Sequence, residues 1–299
     1  MRIGVDLGGT KIEIVVLDAG GEVHHRDRVA TPHGDYPATI QSIVDLVRSA
    51  EAEVGSRCTV GIGTPGAVSP ATGRMKNCNS TWLNDQALRE DLEQALGRSV
   101  PLANDANCFA LSEAVDGAAA GASVVFGVIL GTGVGGGVVV HGRAWTGPNA
   151  IGGEWGHNPL PQPRASELPG PGCYCGRSGC IETFLSGPGL EAQYEQETGR
   201  RLRGREIVAE AAASEESKAE LVLGEYEDRL ARALGTVINL LDPDCIVLGG
   251  GLSSIARLYT KIPRLWGQYV FSDRVDTPLR PPRFGDASGV RGAAWLGDD

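Results

Sequence analysis

Residues 123–140 read SVVFGVILGTGVGGGVVV, with a literal G-x-G-x-x-G running from Gly131 to Gly136. A dinucleotide-binding reading of that pattern needs a helix after the last glycine, so that the helix N-terminus meets the pyrophosphate. Here VVVHG follows, a β-branched run that favours a strand. The segment therefore reads as strand, glycine loop, strand. Gly131, Thr132, Gly133 and Gly135 become candidates for a loop that grips phosphate through backbone N–H groups. A plain flexible turn is the structural alternative.

The same arrangement recurs at the start of the chain. RIGVDLGGTK is a strand with a turn at Gly8–Gly9, and KIEIVVLDAGG returns, so residues 2–18 read as a β-hairpin. In the stretch DLGGT, Gly8 and Gly9 admit an anion to the backbone, Thr10 adds a hydroxyl, and Asp6 can hold a hydrated Mg²⁺. A bare hairpin turn would look similar. A third glycine loop, Gly249, Gly250 and Gly251, ends the buried strand CIVLGGG, where adenosine could lie against the backbone. Two strand–loop–strand units, near residues 2–18 and 124–140, predict two related α/β halves around a cleft.

The remaining periodicities fill in that plan. Ile40, Ile43, Val44 and Val47 predict a helix over 36–54, and Leu88, Leu92 and Leu96 one over 85–96 that stops at Gly97. VPLANDAN is a short strand ending at Asn104–Asp105, with a helix after it. Asp105 could be an N-cap, as could Asn104; its functional reading is a general base that takes a proton from an attacking hydroxyl. A long amphipathic helix is predicted over 216–241, another helix after the third glycine loop, and a small-residue helix in ASGVRGAAWLG at the end. The proline-rich stretch 159–172 must be a surface loop. The basic run GRRLRGRE (199–206) reads as a solvated face.

Three of the seven cysteines, Cys173, Cys175 and Cys180, fall inside CYCGRSGC. C-x-C-x₄-C supplies three soft ligands, and tetrahedral Zn²⁺ wants a fourth; His157 is the nearest upstream histidine. A closed Cys₃His site would be structural and would pin the proline-rich loop at its base. Reduced, buried thiols are the alternative. Glu154 and Glu182 flank this unit, and from spacing alone they read as ordinary solvated carboxylates.

Composition narrows the classes. The chain has 299 residues, enough for two domains, and a net charge of −10, which argues against broad nucleic-acid or anionic-membrane binding. Asp6 interrupts the first apolar run, and no apolar stretch approaches a membrane span, so a soluble cytoplasmic protein is expected. The cysteines outside the cluster are scattered, which disfavours a disulfide framework.

Taken together, DLGGTK, the stretch GTPGAV, NDANC, GTGVGGG, GEWGH, CYCGRSGCIE and the terminal GGG resemble the ROK family (repressors, open reading frames and kinases). That family sits in the actin-like, ribonuclease-H-like superfamily. The resemblance covers essentially the whole chain. It implies an α/β fold of two actin-like domains around a central cleft with a structural zinc loop. The small domain would be 1–105 plus 286–299, and the large domain 106–285. It implies ATP and Mg²⁺ at Asp6, Gly8, Gly9, Thr10, Lys11 and the two later glycine loops, and a dimer. It implies Asp105 as the base, and Asn104, Glu154, His157 and Glu182, with Gly66 and Asn79, around a free hexose. KNCNSTWLN (76–84) resembles bacterial fructokinases and mannokinases, so fructose, with mannose, is the expected substrate; N-acetylglucosamine and glucose kinases of the family are the alternatives. Trp82 in that stretch could fill the volume an N-acetyl group needs, or be a core aromatic. A sugar-sensing repressor would need a helix-turn-helix before the first phosphate loop, and a zinc nicotinamide dehydrogenase would need a helix after Gly136.

Overall fold

The structure, a computed structural model, describes residues 1–297. In chain order its elements are β1 (Arg2–Leu7), β2 (Lys11–Leu17), β3 (Val23–Ala30), α1 (Tyr36–Val54), β4 (Thr59–Thr64), β5 (Ala67–Val68), β6 (Met75–Lys76), α2 (Leu88–Leu96), β7 (Leu102–Asn104) and α3 (Asp105–Val115). Then follow β8 (Val124–Leu130), β9 (Val134–Val140), β10 (Arg143–Ala144), α4 (Ile181–Leu185), α5 (Gly187–Thr198), α6 (Gly204–Ala213), α7 (Lys218–Leu241), β11 (Cys245–Gly249), α8 (Leu258–Leu265), β12 (Leu279–Arg280) and α9 (Ser288–Trp295). By internal contacts the chain divides into two compact units, one of residues 1–121, 137–153 and 283–299, the other of 122–136 and 154–282. The sequence reading drew its line at residue 105; α3 groups with the first unit because it packs on α9.

Both glycine-loop hairpins form as the alternation of apolar residues requires. The two five-stranded sheets run in the orders β3-β2-β1-β4-β7 and β10-β9-β8-β11-β12. In each, the hairpin's first strand is central and the later strands join it in parallel: β1 with β4 and β4 with β7, β8 with β11 and β11 with β12. The shared order gives physical content to the repeat seen in the sequence. β3, largely exposed and rich in charge, carries no apolar alternation and escaped the sequence reading. The helix expected straight after the third glycine loop is delayed. Residues 251–254 make a 3₁₀ turn first, because Gly250 adopts φ 77°.

In the first unit, Ile3, Val5, Ile12, Ile14, Ile43, Val47, Val60 and Ile62 form a closed core between the sheet and α1. α9 packs on β1, β4 and α3, and here the chain needs glycine. A Cβ on Gly4 would sit 2.0 Å from the Val290 oxygen, one on Gly61 2.1 Å from the Ala293 oxygen, and one on Gly292 1.7 Å from the Cys108 oxygen. α9 is held there by the buried Glu113 carboxylate of α3, which accepts hydrogen bonds from the Ser288 hydroxyl at 2.7 Å and from the backbone N–H of Arg283 and Ala118.

In the second unit, the proline-rich loop is more than a surface excursion. Its Glu167 is buried and takes guanidinium hydrogen bonds from Arg229 and Arg232 of α7, each at 2.7 Å. Burial pushes the Glu167 carboxyl up, but Arg232, the Arg164 backbone N–H and Arg229 outweigh it and hold it at about 2. The basic run 199–206 behaves as a solvated face, pairing Arg200 with Glu210 and Arg201 with Glu195 at the surface.

The backbone approach at α9 gives a direct test. Gly292→Ala forces a methyl group into the Cys108 carbonyl, so it should cost at least about 1–3 kcal/mol as overpacking. Urea unfolding should show a lower midpoint; an unchanged midpoint would contradict this packing.

Candidate active site

Asp6, at the end of β1, and Asp105, at the start of α3, come together in the first unit. The Asp6 carboxyl is pushed up to about 6, by burial first and then by the negative charges of Asp105 and Glu13, with Lys11 pulling the other way. No side chain crowds it from Gly63 or Gly289, where an added Cβ would stand 3.8 and 4.0 Å from its oxygens. A buried carboxyl whose proton affinity is raised by a neighbouring carboxylate suits a divalent cation, so the residues fit Mg²⁺. Buried Cys108 lies beneath them. Burial, then Asp6 and Asp105, drive its thiol far above the usual range, so it is an inert core thiol.

Asn104 and Asp105 divide the two readings made from sequence. Asn104 is the N-cap of α3, its Oδ1 accepting the Ala106 N–H at 2.9 Å. Asp105 is the first residue of the helix; its Oδ1 also takes that N–H, at 2.8 Å, and its side chain is exposed. Both side chains thus serve the N-terminus of α3, and Asp105 stands exposed at the positive end of that helix.

The first glycine loop is a tight turn closed by Gly8 N–H donating to the Lys11 oxygen at 3.0 Å, and it is braced by the Thr31 hydroxyl on the Gly8 oxygen at 2.8 Å. Thr10 is exposed at its tip. Lys11, expected at the phosphate, pairs instead with the buried Glu13 carboxylate at 2.7 Å. Gly66 is buried, and a Cβ there would meet the Lys76 oxygen at 2.4 Å, so its glycine is required by the β5–β6 hairpin. Asn79 is exposed in the loop that follows, which Asn84 clamps through the Cys78 backbone. Trp82 packs on the first core and against His33, with ring centroids 4.4 Å apart. It is the core aromatic of the two options.

The second unit gathers the other set. Gly131 N–H donates to the Gly133 oxygen, and the Val134 N–H donates to Glu182 Oε2 at 3.0 Å. A Cβ on Gly133 would lie 2.6 Å from that same oxygen. Glu182 is therefore tied to the loop of Gly131, Thr132, Gly133 and Gly135. The buried Trp155 indole, missed in the sequence, donates to the Gly135 oxygen at 2.9 Å and seats the Glu154–His157 turn on that loop. Gly250, between Gly249 and Gly251, approaches Leu130 so closely that a Cβ would meet its oxygen at 2.5 Å.

His157, Cys173, Cys175 and Cys180 converge, with their ligand atoms all within 4.8 Å of one another. Cys175 and Cys180 sulfurs are 3.7 Å apart, and Cys173 Sγ is 3.5 Å from His157 Nδ1. Tetrahedral zinc with Zn–S of about 2.3 Å and Zn–N of about 2.0 Å requires separations of about 3.8 and 3.5 Å, so the set fits a structural Zn²⁺. Burial pushes the Cys180 thiol up to about 12, while the Arg177 backbone N–H lowers Cys175 to about 7. A bound metal would hold all three as thiolates. With a metal on Nδ1, the His157 proton sits on Nε2. That N–H, expected to face a sugar hydroxyl, meets the Tyr174 hydroxyl at 2.9 Å. Tyr174 is 84% exposed; its hydroxyl is raised to about 12, by desolvation first and then by Glu182, Cys173, Glu154 and Cys175. It thus shares its surroundings with both glutamates, and nothing in the sequence singled it out.

The ROK family model matches residues 2–299. The chain belongs to the ROK family. It is 41% identical to the N-acetyl-D-glucosamine kinase of Yersinia enterocolitica, over 99% of both chains. Among solved structures it resembles a ROK hexokinase from Thermus thermophilus (34% identity, 99% of this chain and 97% of that one, TM-score 0.87). It also resembles a ROK glucokinase from Streptomyces griseus in complex with glucose and AMPPNP (27% identity, 99% and 98%, TM-score 0.78). The chain is an ATP-dependent sugar kinase of the ROK family, with two α/β units of the expected class. Among the described residues no helix is long and apolar enough to cross a membrane. The fructose preference drawn from residues 76–84 is not supported; the relatives favour the N-acetylglucosamine alternative.

Two measurements check this ROK site. Metal analysis should find about one zinc per chain, and Cys175→Ser should lose it; a metal-free, equally stable wild type would exclude the Cys₃His assignment. Asp6 has its folded pKa raised, so it is protonated below about pH 6 and cannot then hold a cation. Activity at limiting Mg²⁺ should fall as pH drops through about 6, and added Mg²⁺ should move that limb to lower pH. A limb that ignores Mg²⁺ would remove Asp6 from the cation site.

Proposed function

We propose that this ROK kinase transfers the γ-phosphoryl group of ATP to the 6-hydroxyl of N-acetyl-D-glucosamine. The observation that carries the reading is the 41% identity, over nearly the full length of both chains, to an enzyme of that name.

In this reading Asp105 accepts the proton of the 6-hydroxyl as that oxygen attacks the γ-phosphorus. The bond from the γ-phosphorus to the bridging oxygen breaks, and ADP leaves with the electron pair. The exposed position of Asp105 at the head of α3, near Asp6, supports the role. Mg²⁺, when bound, neutralises phosphate charge. The loop at Gly8, Gly9 and Thr10 and that at Gly131, Thr132, Gly133 and Gly135 are assigned to the phosphates, and Gly249, Gly250 and Gly251 to adenosine. Lys11 is assigned to the first loop as its Glu13-paired brace. Asn104, Glu154, His157 and Glu182 are assigned to sugar hydroxyls, with Gly66 and Asn79 shaping the sugar loop. The small and large domains of the family correspond to the two units in role. A homodimer and a cytoplasmic setting, where ATP is abundant, belong to the same reading.

The test is kcat/KM for N-acetylglucosamine, glucose, mannose and fructose under one set of conditions. N-acetylglucosamine should lead fructose by tenfold or more, about 1.4 kcal/mol of transition-state binding; fructose ahead would overturn the substrate. Asp105→Ala should lower kcat by roughly 10²–10⁴-fold with sugar affinity far less changed.

A further inference from the structure

Tyr174 stands between two of the cysteines of the metal cluster, Cys173 and Cys175, in a turn that the Gly176 N–H closes on the Cys173 oxygen at 3.0 Å. A second bond, from the Cys173 N–H to the Arg177 oxygen at 2.7 Å, pins the same backbone. The side chain has no such anchorage. It is 84% exposed, so burial does not hold it. What it meets is His157: the two rings pack edge to face, with centroids 5.0 Å apart and planes at 88°, and the Tyr174 hydroxyl lies 2.9 Å from His157 Nε2.

The direction of that hydrogen bond follows from the metal site. Cys173 Sγ is 3.5 Å from His157 Nδ1, so zinc, when bound, takes Nδ1 and the ring proton stays on Nε2. Tyr174 is then the acceptor, and its own hydroxyl proton points elsewhere. Among the described residues that hydroxyl makes no other hydrogen bond. A hydroxyl that accepts from an N–H is polarised into a stronger donor.

Glu154 and Glu182, as carboxylates, only accept hydrogen bonds. Both are near enough for their charge to act on the Tyr174 hydroxyl. A sugar hydroxyl has one proton and two lone pairs, so once it donates to a carboxylate it needs a donor in return. His157 has a single proton on Nε2, and Tyr174 has taken it. The Tyr174 O–H is the donor left beside the two glutamates. Resting on the reading that Glu154, His157 and Glu182 serve the sugar, we propose that Tyr174 is a further sugar-binding residue, its hydroxyl held by His157 and donating to a ring hydroxyl of the substrate. His157 then reaches the sugar through Tyr174, and the zinc loop carries a substrate contact of its own.

The experiment compares wild type with Tyr174→Phe, which keeps the ring against His157 and removes only the hydroxyl. Sugar affinity is measured by calorimetry without ATP, beside steady-state kinetics and zinc content. The variant should bind N-acetylglucosamine roughly tenfold more weakly. Its KM should rise to match, with kcat within about threefold, as expected when ground state and transition state lose the same contact. Zinc should stay at about one per chain. Among 1-deoxy, 3-deoxy and 4-deoxy analogues, one should bind both proteins equally, because the partner of the lost bond is absent from it. Unchanged affinity in Tyr174→Phe would overturn the proposal, and tighter binding would make Tyr174 a competitor that the sugar displaces, which overturns it too. Zinc loss, or an equal loss on every analogue, would mean a structural role only. A wild type that uses glucose and not N-acetylglucosamine would remove the substrate reading alone, since the same comparison then runs on glucose and its deoxy analogues.

Discussion

Backbone meets backbone where α9 crosses β1, β4 and α3, and the chemistry of the first unit depends on that contact. Gly4, Gly61 and Gly292 remove the side chains that would otherwise hold the helix away, and the nearest atoms they admit are carbonyl oxygens at 1.7–2.1 Å from any added Cβ. Interiors packed this closely transmit displacement rather than absorb it. Asp6 is the last residue but one of β1 and Asp105 the first of α3, so the same contact bears on the spacing of the two carboxylates. Glu113 reinforces it by tying Ser288 and Arg283 to α3, and Arg291 adds an ion pair to Asp116.

From that frame follows a division of labour. Asn104 and Asp105 both accept the Ala106 N–H at the head of α3, and Asp105 stands exposed there, where the proposed proton transfer needs it. In the second unit Trp155 and Glu182 perform a similar service for the Gly131–Gly135 loop, one bonding its carbonyl and the other its N–H. Zinc held by the cysteine–histidine cluster would fix the tautomer and direction of His157 and leave no open coordination position, so its contribution would be positional.

Much of this was legible in the sequence because it rests on local rules. Valines after Gly136 excluded a helix there, and the two hairpins and the Cys₃His spacing followed from period and ligand chemistry. What escaped was non-local. β3 has no apolar alternation to betray it. Trp155 and Tyr174 matter through contacts with residues far off in the chain. Gly66 looked like a ligand glycine, yet it is needed for the close approach of Lys76. The substrate preference rested on the resemblance of KNCNSTWLN to fructokinases and mannokinases, and the relatives favour the N-acetylglucosamine alternative instead.

The central claim, transfer from ATP to one hydroxyl of N-acetylglucosamine, is tested most directly by ³¹P–¹H NMR of the reaction mixture. The account expects a phosphomonoester whose phosphorus couples to the two protons on C6, formed in step with ADP. A phosphate coupled to the C1 proton, or release of inorganic phosphate with the sugar unchanged, would contradict it.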